Sequence, residues 1–368
     1  MRRDIRAIPG VLACLLCLAC LAATPAAAQP DDPAPVDGPP PVDEVDKLTF
    51  EKSIPRAAFG NGDRRFLTFV SENDLYGGGT DKNYTNGARV TYFEFGAEPP
   101  VLAEWLDWLV PSFRVNETTS VYYSLGHNLY TPEDIEAPVP DPADRPYAAF
   151  LYGSAGFVSV TDDHIDDLEL TLGVVGPLAL GEQIQRNVHE AIDSPDPAGW
   201  DFQLENEPGI ILSWQRSWPE AYAAMPGPLL FRATPHVGAT LGNIYTYANV
   251  GLTLQLLPEA DRWQAQPLRV RPSIPGSGVF APPRGGWSWS VFAGVEGRAV
   301  GHNIFLDGNT FEDGPSVDKR PLVADASAGI AFTLGWTRLS YTLNWRSKEF
   351  EGQQDESIFG AVALGFRF

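Results

Sequence analysis

Residues 71–92, Ser-Glu-Asn-Asp-Leu-Tyr-Gly-Gly-Gly-Thr-Asp-Lys-Asn-Tyr-Thr-Asn-Gly-Ala-Arg-Val-Thr-Tyr, crowd carboxylates, amides and hydroxyls around one turn. A plain hairpin needs only one or two turn residues. The surplus oxygens suit a hard cation: Asp74 with neighbouring main-chain carbonyls fits Ca²⁺, which takes ~6–8 oxygen ligands. A second group able to do chemistry lies far along the chain. Gln185 and His189 are four residues apart, a spacing that puts both on one face of a helix. Imidazole is the usual general base near neutral pH. Ester hydrolysis needs such a base for water and a positive centre for the developing oxyanion. A cation held by Asp74 would supply the second by polarising the carbonyl.

Each feature also has an ordinary structural reading. Glu72-Asn73-Asp74 can end a strand in an Asx-type turn. Gly77-Gly78-Gly79 can be a flexible loop, and without a following Lys-Ser/Thr and helix it does not cradle phosphate. His189 can be a surface histidine. The histidines (His127, His164, His189, His236, His302) are scattered, so no soft-metal cage is evident. Asn73 and Asp74, as neighbours in a strand, would face opposite sides. Both serve one site only at a bulge or where the strand has ended.

The elements that must position these residues are strands. Twelve alternating segments recur: Phe66–Asp74, Ala88–Phe95, Ser120–Leu129, Ala148–Val160, Asp166–Val175 and Pro208–Trp218 in the first half. Leu229–Leu241, Ala248–Leu257, Trp287–Val300, Leu322–Leu334, Thr337–Arg346 and Ser357–Phe368 complete the set. Period 2, as in Leu168/Leu170/Leu172/Val174, gives one apolar face and one polar or small face. The one helix expected is Gly181 to Asp193.

The N-terminal end predicts the compartment. Arg2, Arg3 and Arg6 precede an apolar run from Val11 to Ala23 and an Ala-x-Ala exit, the pattern of a secretory signal peptide over 1–28. The run falls short of the ~20 residues of a membrane-spanning helix. Cys14, Cys17 and Cys20 all lie within it, so the remaining chain holds no disulfide or thiol nucleophile. Val11-Leu12-Ala13-Cys14 is also loosely lipobox-like, an alternative that the cleaner Ala-x-Ala exit disfavours. Residues 29–49 form a leader rich in Pro and Asp with almost nothing to bury, expected to be disordered. Net charge of −21 repels nucleic acid, so no nucleic-acid partner is expected.

Even-numbered alternating strands after a signal peptide fit a transmembrane barrel or a large soluble sandwich. Ile358, Val362, Leu364, Phe366 and Phe368 share one parity in the last segment, a terminal aromatic strand of the outer-membrane type. Trp105, Trp108, Trp214, Trp218, Trp287 and Trp289 stand near strand ends, where aromatic girdles sit. The reading is an all-β antiparallel transmembrane barrel over 50–368, integral to the outer membrane of a Gram-negative cell. About twelve strands and one short helix in an extracellular loop are expected. A closed barrel has no free edge, so a monomer is expected.

Residues 69–95 (FVSENDLYGGGTDKNYTNGARVTYFEF) resemble the opening of the outer-membrane lipid A deacylase family of the LpxR type. Leu129-Tyr130-Thr131-Pro132, followed by Asp144-Arg145-Pro146-Tyr147-Ala148, is similar to that family's third and fourth strands. Gly176-Pro177, Gly181-Glu182, Gln185 and His189, then Gly199 to Glu207, resemble its helical loop and next strand. Arg298 to Phe311 also fits, so the likeness spans essentially the whole barrel. The resemblance implies Ca²⁺-dependent hydrolysis of the 3′-acyloxyacyl ester of lipid A. It implies catalytic roles for Asn73, Asp74, Thr85 and His189, substrate contacts from Arg145 and Gln185, and metal ligation by Asp74 and Glu205. The implied partner is lipopolysaccharide in the outer leaflet.

One departure matters. A family lysine follows the third strand, whereas this chain has Glu133, Asp134, Ile135, Glu136 and Ala137, and its nearest later cation is Arg145. Two other readings therefore stand beside the esterase: a catalytically silent barrel of the same architecture, and a passive pore.

Overall fold

Alternating sequence becomes a closed wall of twelve antiparallel strands in the computed structural model. The model describes residues 65–77, 83–95, 101–161 (except 102, 104, 106, 107, 109, 111 and 117), 163–219, 221–259, 264–270 and 276–368. The expected signal peptide, the leader and residues 78–82 of the first turn lie outside the described residues. The strands are β1 Arg65–Asn73, β2 Asn83–Glu94, β3 Ser120–Thr131, β4 Ala148–Val160, β5 Ile165–Val175 and β6 Glu207–Ser217. They continue as β7 Leu229–Gly242, β8 Tyr245–Pro258, β9 Trp287–Asn303, β10 Leu322–Leu334, β11 Thr337–Arg346 and β12 Ser357–Arg367. A three-residue ribbon, Tyr222–Ala224, adds to the start of β7.

Each strand pairs with its chain neighbour, and β1 pairs with β12 (Thr68 opposite Gly365), so no edge is left open. Closure satisfies every ladder group internally, as lipid demands. The faces confirm the surroundings. Leu125, Leu172, Val250, Val295 and Leu343 are exposed, while Ser124, Thr171, Glu296 and Asn344 of opposite parity are buried. Apolar side chains outward and polar ones inward suit a barrel in a bilayer. Of the tryptophans expected in girdles, Trp105, Trp108 and Trp287 stand exposed, together with Trp336 and Trp345, whereas Trp214, Trp218 and Trp289 are half-buried.

The lumen is largely filled by side chains, with a cavity left toward the lower rim between Phe93, Arg232, His236 and Gln264. Arg89–Glu169 (3.1 Å), Arg269–Glu72 (2.6 Å) and Arg346–Asp325 (2.8 Å) are buried ion pairs across it, and His236 Nε2 bonds Glu296 at 3.0 Å. From the rim that carries Arg65 and Phe368, here the lower rim, the β8–β9 connection climbs inside as a plug. Val270 N–H and Arg269 Nε both donate to Glu72, and Phe280 meets Phe66 edge to face.

At the upper rim, Asp74–Tyr76 makes one 3₁₀ turn. The β5–β6 connection carries helix α1, Gly181–Ile192. A second helix, α2 (Ile304–Asp307), follows β9 and was not expected from sequence. Its single turn, capped by Asn303, is too short to leave a periodic signal. The second strand also begins at Asn83, five residues before the expected Ala88. Asn83 and Tyr84 pair there with Thr131 and Tyr130 of β3.

Candidate active site

Helix α1 starts with Leu180 in the left-handed region (φ 61°) and ends at Asp193 in the same conformation (φ 56°). Its buried positions are Gly181, Gln185 and His189, one face at a spacing of four. That face lies on the outside of the wall. Leu129, Ala149 and Ala179 pack with Tyr147 and Trp200, and Leu151, Val174 and Ile184 border the cluster. Leu129 and Ala149 have the parity opposite to lumen-facing Tyr130 and Phe150, so the helix covers lipid-side positions of β3 to β5. Gly181 permits the approach: a Cβ there would lie 2.6 Å from both the Ala149 methyl and the Trp200 ring.

Gln185 is held by Trp200, whose Nε1–H donates to Gln185 Oε1 at 2.8 Å. Its Nε2, also buried, meets no acceptor among the described residues. His189 is 3% exposed, and its Nδ1 bonds the Pro195 carbonyl at 2.5 Å. A carbonyl can only accept, so Nδ1 carries the proton and the basic lone pair of a neutral ring sits on Nε2.

The other predicted residues sit on β1 and β2. Asn73 ends β1, and its Oδ1 accepts from Leu75 N–H at 2.7 Å, while Asp74, 2% exposed, opens the 3₁₀ turn. The strand has ended between them, which meets the geometric demand that neighbours serve one side. The turn leans toward β12 and β11: Tyr341 O–H donates to the Tyr76 carbonyl at 2.7 Å. Thr85 is the extra residue where the β2–β3 register shifts between Tyr84 and Asn86. Its hydroxyl meets that of Thr131 at 2.6 Å. Thr131 shares the outward parity of Leu129, so the Thr85–Thr131 pair and the α1 contact surface belong to one face of the wall.

Two candidates fall elsewhere. Arg145 is wholly buried above the lumen, its guanidinium 5.0 Å from the Tyr130 ring and 3.6 Å from Glu349, on the opposite side of the wall from α1. Glu205 is exposed, its main chain bonded to Asn309, beside Gly176 at the top of β5. Four strand spacings of ~4.8 Å separate β5 from β1, too far for Glu205 to share a cation with Asp74. Glu72, which precedes Asn73 and was not a predicted site residue, turns into the lumen and is spent on Arg269, Val270 and Tyr84. Trp200, Thr131 and the Pro195 carbonyl complete the site and carry no local signal of their roles.

Among the described residues, no three His, Asp or Glu side chains converge as a metal cage. Among the described residues of this turn, Asn73, Asp74 and the Tyr76 carbonyl offer oxygens. They fit a hard cation such as Ca²⁺ by type, with one carboxylate and the rest drawn from amide, hydroxyl and carbonyl oxygens.

A family model described as outer membrane protein LpxR matches residues 14–368. Among solved structures, LpxR from Salmonella typhimurium is similar at a TM-score of 0.67 and 23% identity, covering 82% of this chain and 100% of that one. The β domain of the Bordetella autotransporter BrkA aligns at a TM-score of 0.39 and 10% identity, covering 84% of this chain and 99% of that one. The NalP translocator domain of Neisseria meningitidis reaches 0.34 and 12% identity, covering 86% and 93%. No curated protein matches the chain.

Proposed function

The chain belongs to the LpxR family of outer membrane proteins, and from that membership we propose that it hydrolyses the 3′-acyloxyacyl ester of lipid A. One observation carries the reading: the Gln185–His189 face is buried against the lipid side of the wall, not the lumen. A substrate anchored in the outer leaflet would reach that face laterally, without entering the barrel.

In this mechanism, His189 Nε2 takes a proton from water as the oxygen attacks the ester carbonyl. Nδ1–H stays on Pro195 and holds the tautomer. Charge developing on the carbonyl oxygen is met by Gln185 Nε2–H, pre-oriented by Trp200. The tetrahedral intermediate collapses with cleavage of the ester C–O bond. The departing alkoxide recovers the proton from His189, leaving an acyloxyacyl fatty acid and a 3′-hydroxyl. Asp74 with nearby oxygens would hold Ca²⁺, which when bound polarises the carbonyl. Thr85, paired with Thr131, orients groups on the same face.

The silent-barrel reading keeps one supporting observation, the acidic run Glu133–Glu136 in place of the family lysine. The pore reading has less support, because buried ion pairs and the plug largely fill the lumen. Purified protein in mixed micelles with lipid A tests the proposal. Fatty acid release that stops on chelation of Ca²⁺ and resumes on its return is expected. Release that is indifferent to the chelator would remove the metal from the account.

A further inference from the structure

Arg338 projects from β11 into the lower half of the lumen and is 4% exposed. Its Nη1 makes one long contact, 3.5 Å, to the Val279 carbonyl of the plug. Nε and Nη2 meet no acceptor among the described residues. Those two nitrogens form the side-on edge of the guanidinium, with two parallel N–H bonds that match a carboxylate or phosphate fork to fork. Two other arginines of this barrel show that edge filled, whereas Arg145, likewise open at Nε and Nη2 among the described residues, at least has the Glu349 carboxylate 3.6 Å away. Arg216 clamps Asp166 with Nε and Nη2, both at 2.8 Å, and Arg346 clamps Asp325 at 2.8 and 3.2 Å.

The electrostatic neighbour of Arg338 is not an acid but Arg232, a second cation. Burying an uncompensated charge beside a like one is strongly unfavourable. Two hydroxyls in the same region are also buried without partners, Ser288 and Ser290 of β9. The ladder puts Ser288 opposite Thr333 and Thr333 opposite Arg338, one inward-facing layer across three strands. Two strand spacings, ~9.5 Å, separate Ser288 from Arg338, a gap that an arginine side chain and a tetrahedral anion together span. Gln264 of the plug adjoins this layer, accepting from Thr333 Oγ1–H and donating to the Ala281 carbonyl, both at 2.8 Å.

We propose that the lower lumen holds an oxyanion site, in which Arg338 Nε and Nη2 grip two oxygens of a phosphate- or sulfate-sized anion and Ser288 and Ser290 donate to the others. The site is separate from the upper-rim face proposed for ester hydrolysis. Because Gln264, Val279 and Ala281 belong to the plug, a bound anion ties the plug to the wall.

The test is thermal unfolding of the full barrel in maltoside micelles, which contain no phosphate, with inorganic phosphate titrated at constant ionic strength. A ligand of the folded state raises Tm with the logarithm of its concentration. Wild type is expected to show that rise. The Ser288→Ala/Ser290→Ala variant is expected to need on the order of a hundredfold more phosphate, since two hydrogen bonds to a charged group are lost. Arg338→Met is expected to show no phosphate dependence and, without phosphate, to melt no lower than wild type. A flat wild-type titration, or a serine variant or Arg338→Met that responds like wild type, overturns the site. If Arg338→Met does not refold, the wild-type and serine titrations decide it.

Discussion

Nδ1 of His189 is committed to the Pro195 carbonyl, so the catalytic claim at the residue scale rests on Nε2. Gln185 depends likewise on Trp200. Trp200→Phe removes the indole donor and leaves the amide free to turn. Deacylation is expected to fall on the order of tenfold in kcat, with the melting curve shifted by the ~1–3 kcal/mol of a buried acceptor left unmade. Steady-state rates and thermal scans of the same preparation check both parts. The Gln185–His189 pair was legible in the sequence, because a spacing of four survives any helix. Trp200 was not, since only the folded loop brings it beside Gln185. Arg145 shows the converse: a cation near the expected position that the fold turns to the other side of the wall. Glu205 was carried by its place in a matching block, and the width of four strands removes it from Asp74.

At the scale of elements, α1 is applied to the wall through Gly181. Gly181→Ala would force a methyl against Ala149 and Trp200, at a cost of ~1–3 kcal/mol for overpacking. Activity is expected to fall with barrel content by circular dichroism unchanged. A variant with full activity would show that the helix does not need this approach. Beside it, α2 is anchored by Asp307, which takes bonds from Lys319 and Asn303 N–H and pairs with His302. Burial alone would raise the Asp307 pKa, but His302, Lys319 and the Asn303 N–H outweigh it and hold the carboxyl below its ordinary value of 3.8. A carboxylate with a depressed folded-state pKa contributes stability above its ordinary value. That contribution is lost as pH falls through the depressed one. Amide exchange across 304–321 is expected to accelerate below pH 4 in wild type and to lose that dependence in Asp307→Asn. The twelve strands were readable because each must alternate along its whole length, and Ala148–Val160, Leu322–Leu334 and Thr337–Arg346 match the expected bounds. The strand start at Asn83 and the one-turn α2 were not, since each is set by tertiary pairing or capping.

For the whole molecule, the largely filled lumen separates an enzyme on the wall from a channel through it. The plug is tied by Glu72 and Arg269, residues 197 positions apart, a pairing that no local pattern in the sequence could announce. Arg269→Ala leaves Glu72 buried and unpaired, expected to cost ~3–5 kcal/mol. Planar bilayers with wild-type protein are expected to show no steady conductance, whereas an ohmic pore would favour a transport role. Whether the outer-wall face of α1 hydrolyses lipid A is decided by mass spectrometry of lipid A from cells expressing the protein. Lipid A is expected to lose one acyloxyacyl group with wild type and to stay unmodified with His189→Ala, a general base being worth ~10²–10⁴ in rate. Unmodified lipid A in cells bearing folded wild type, or equal loss with His189→Ala, would contradict hydrolysis at that face.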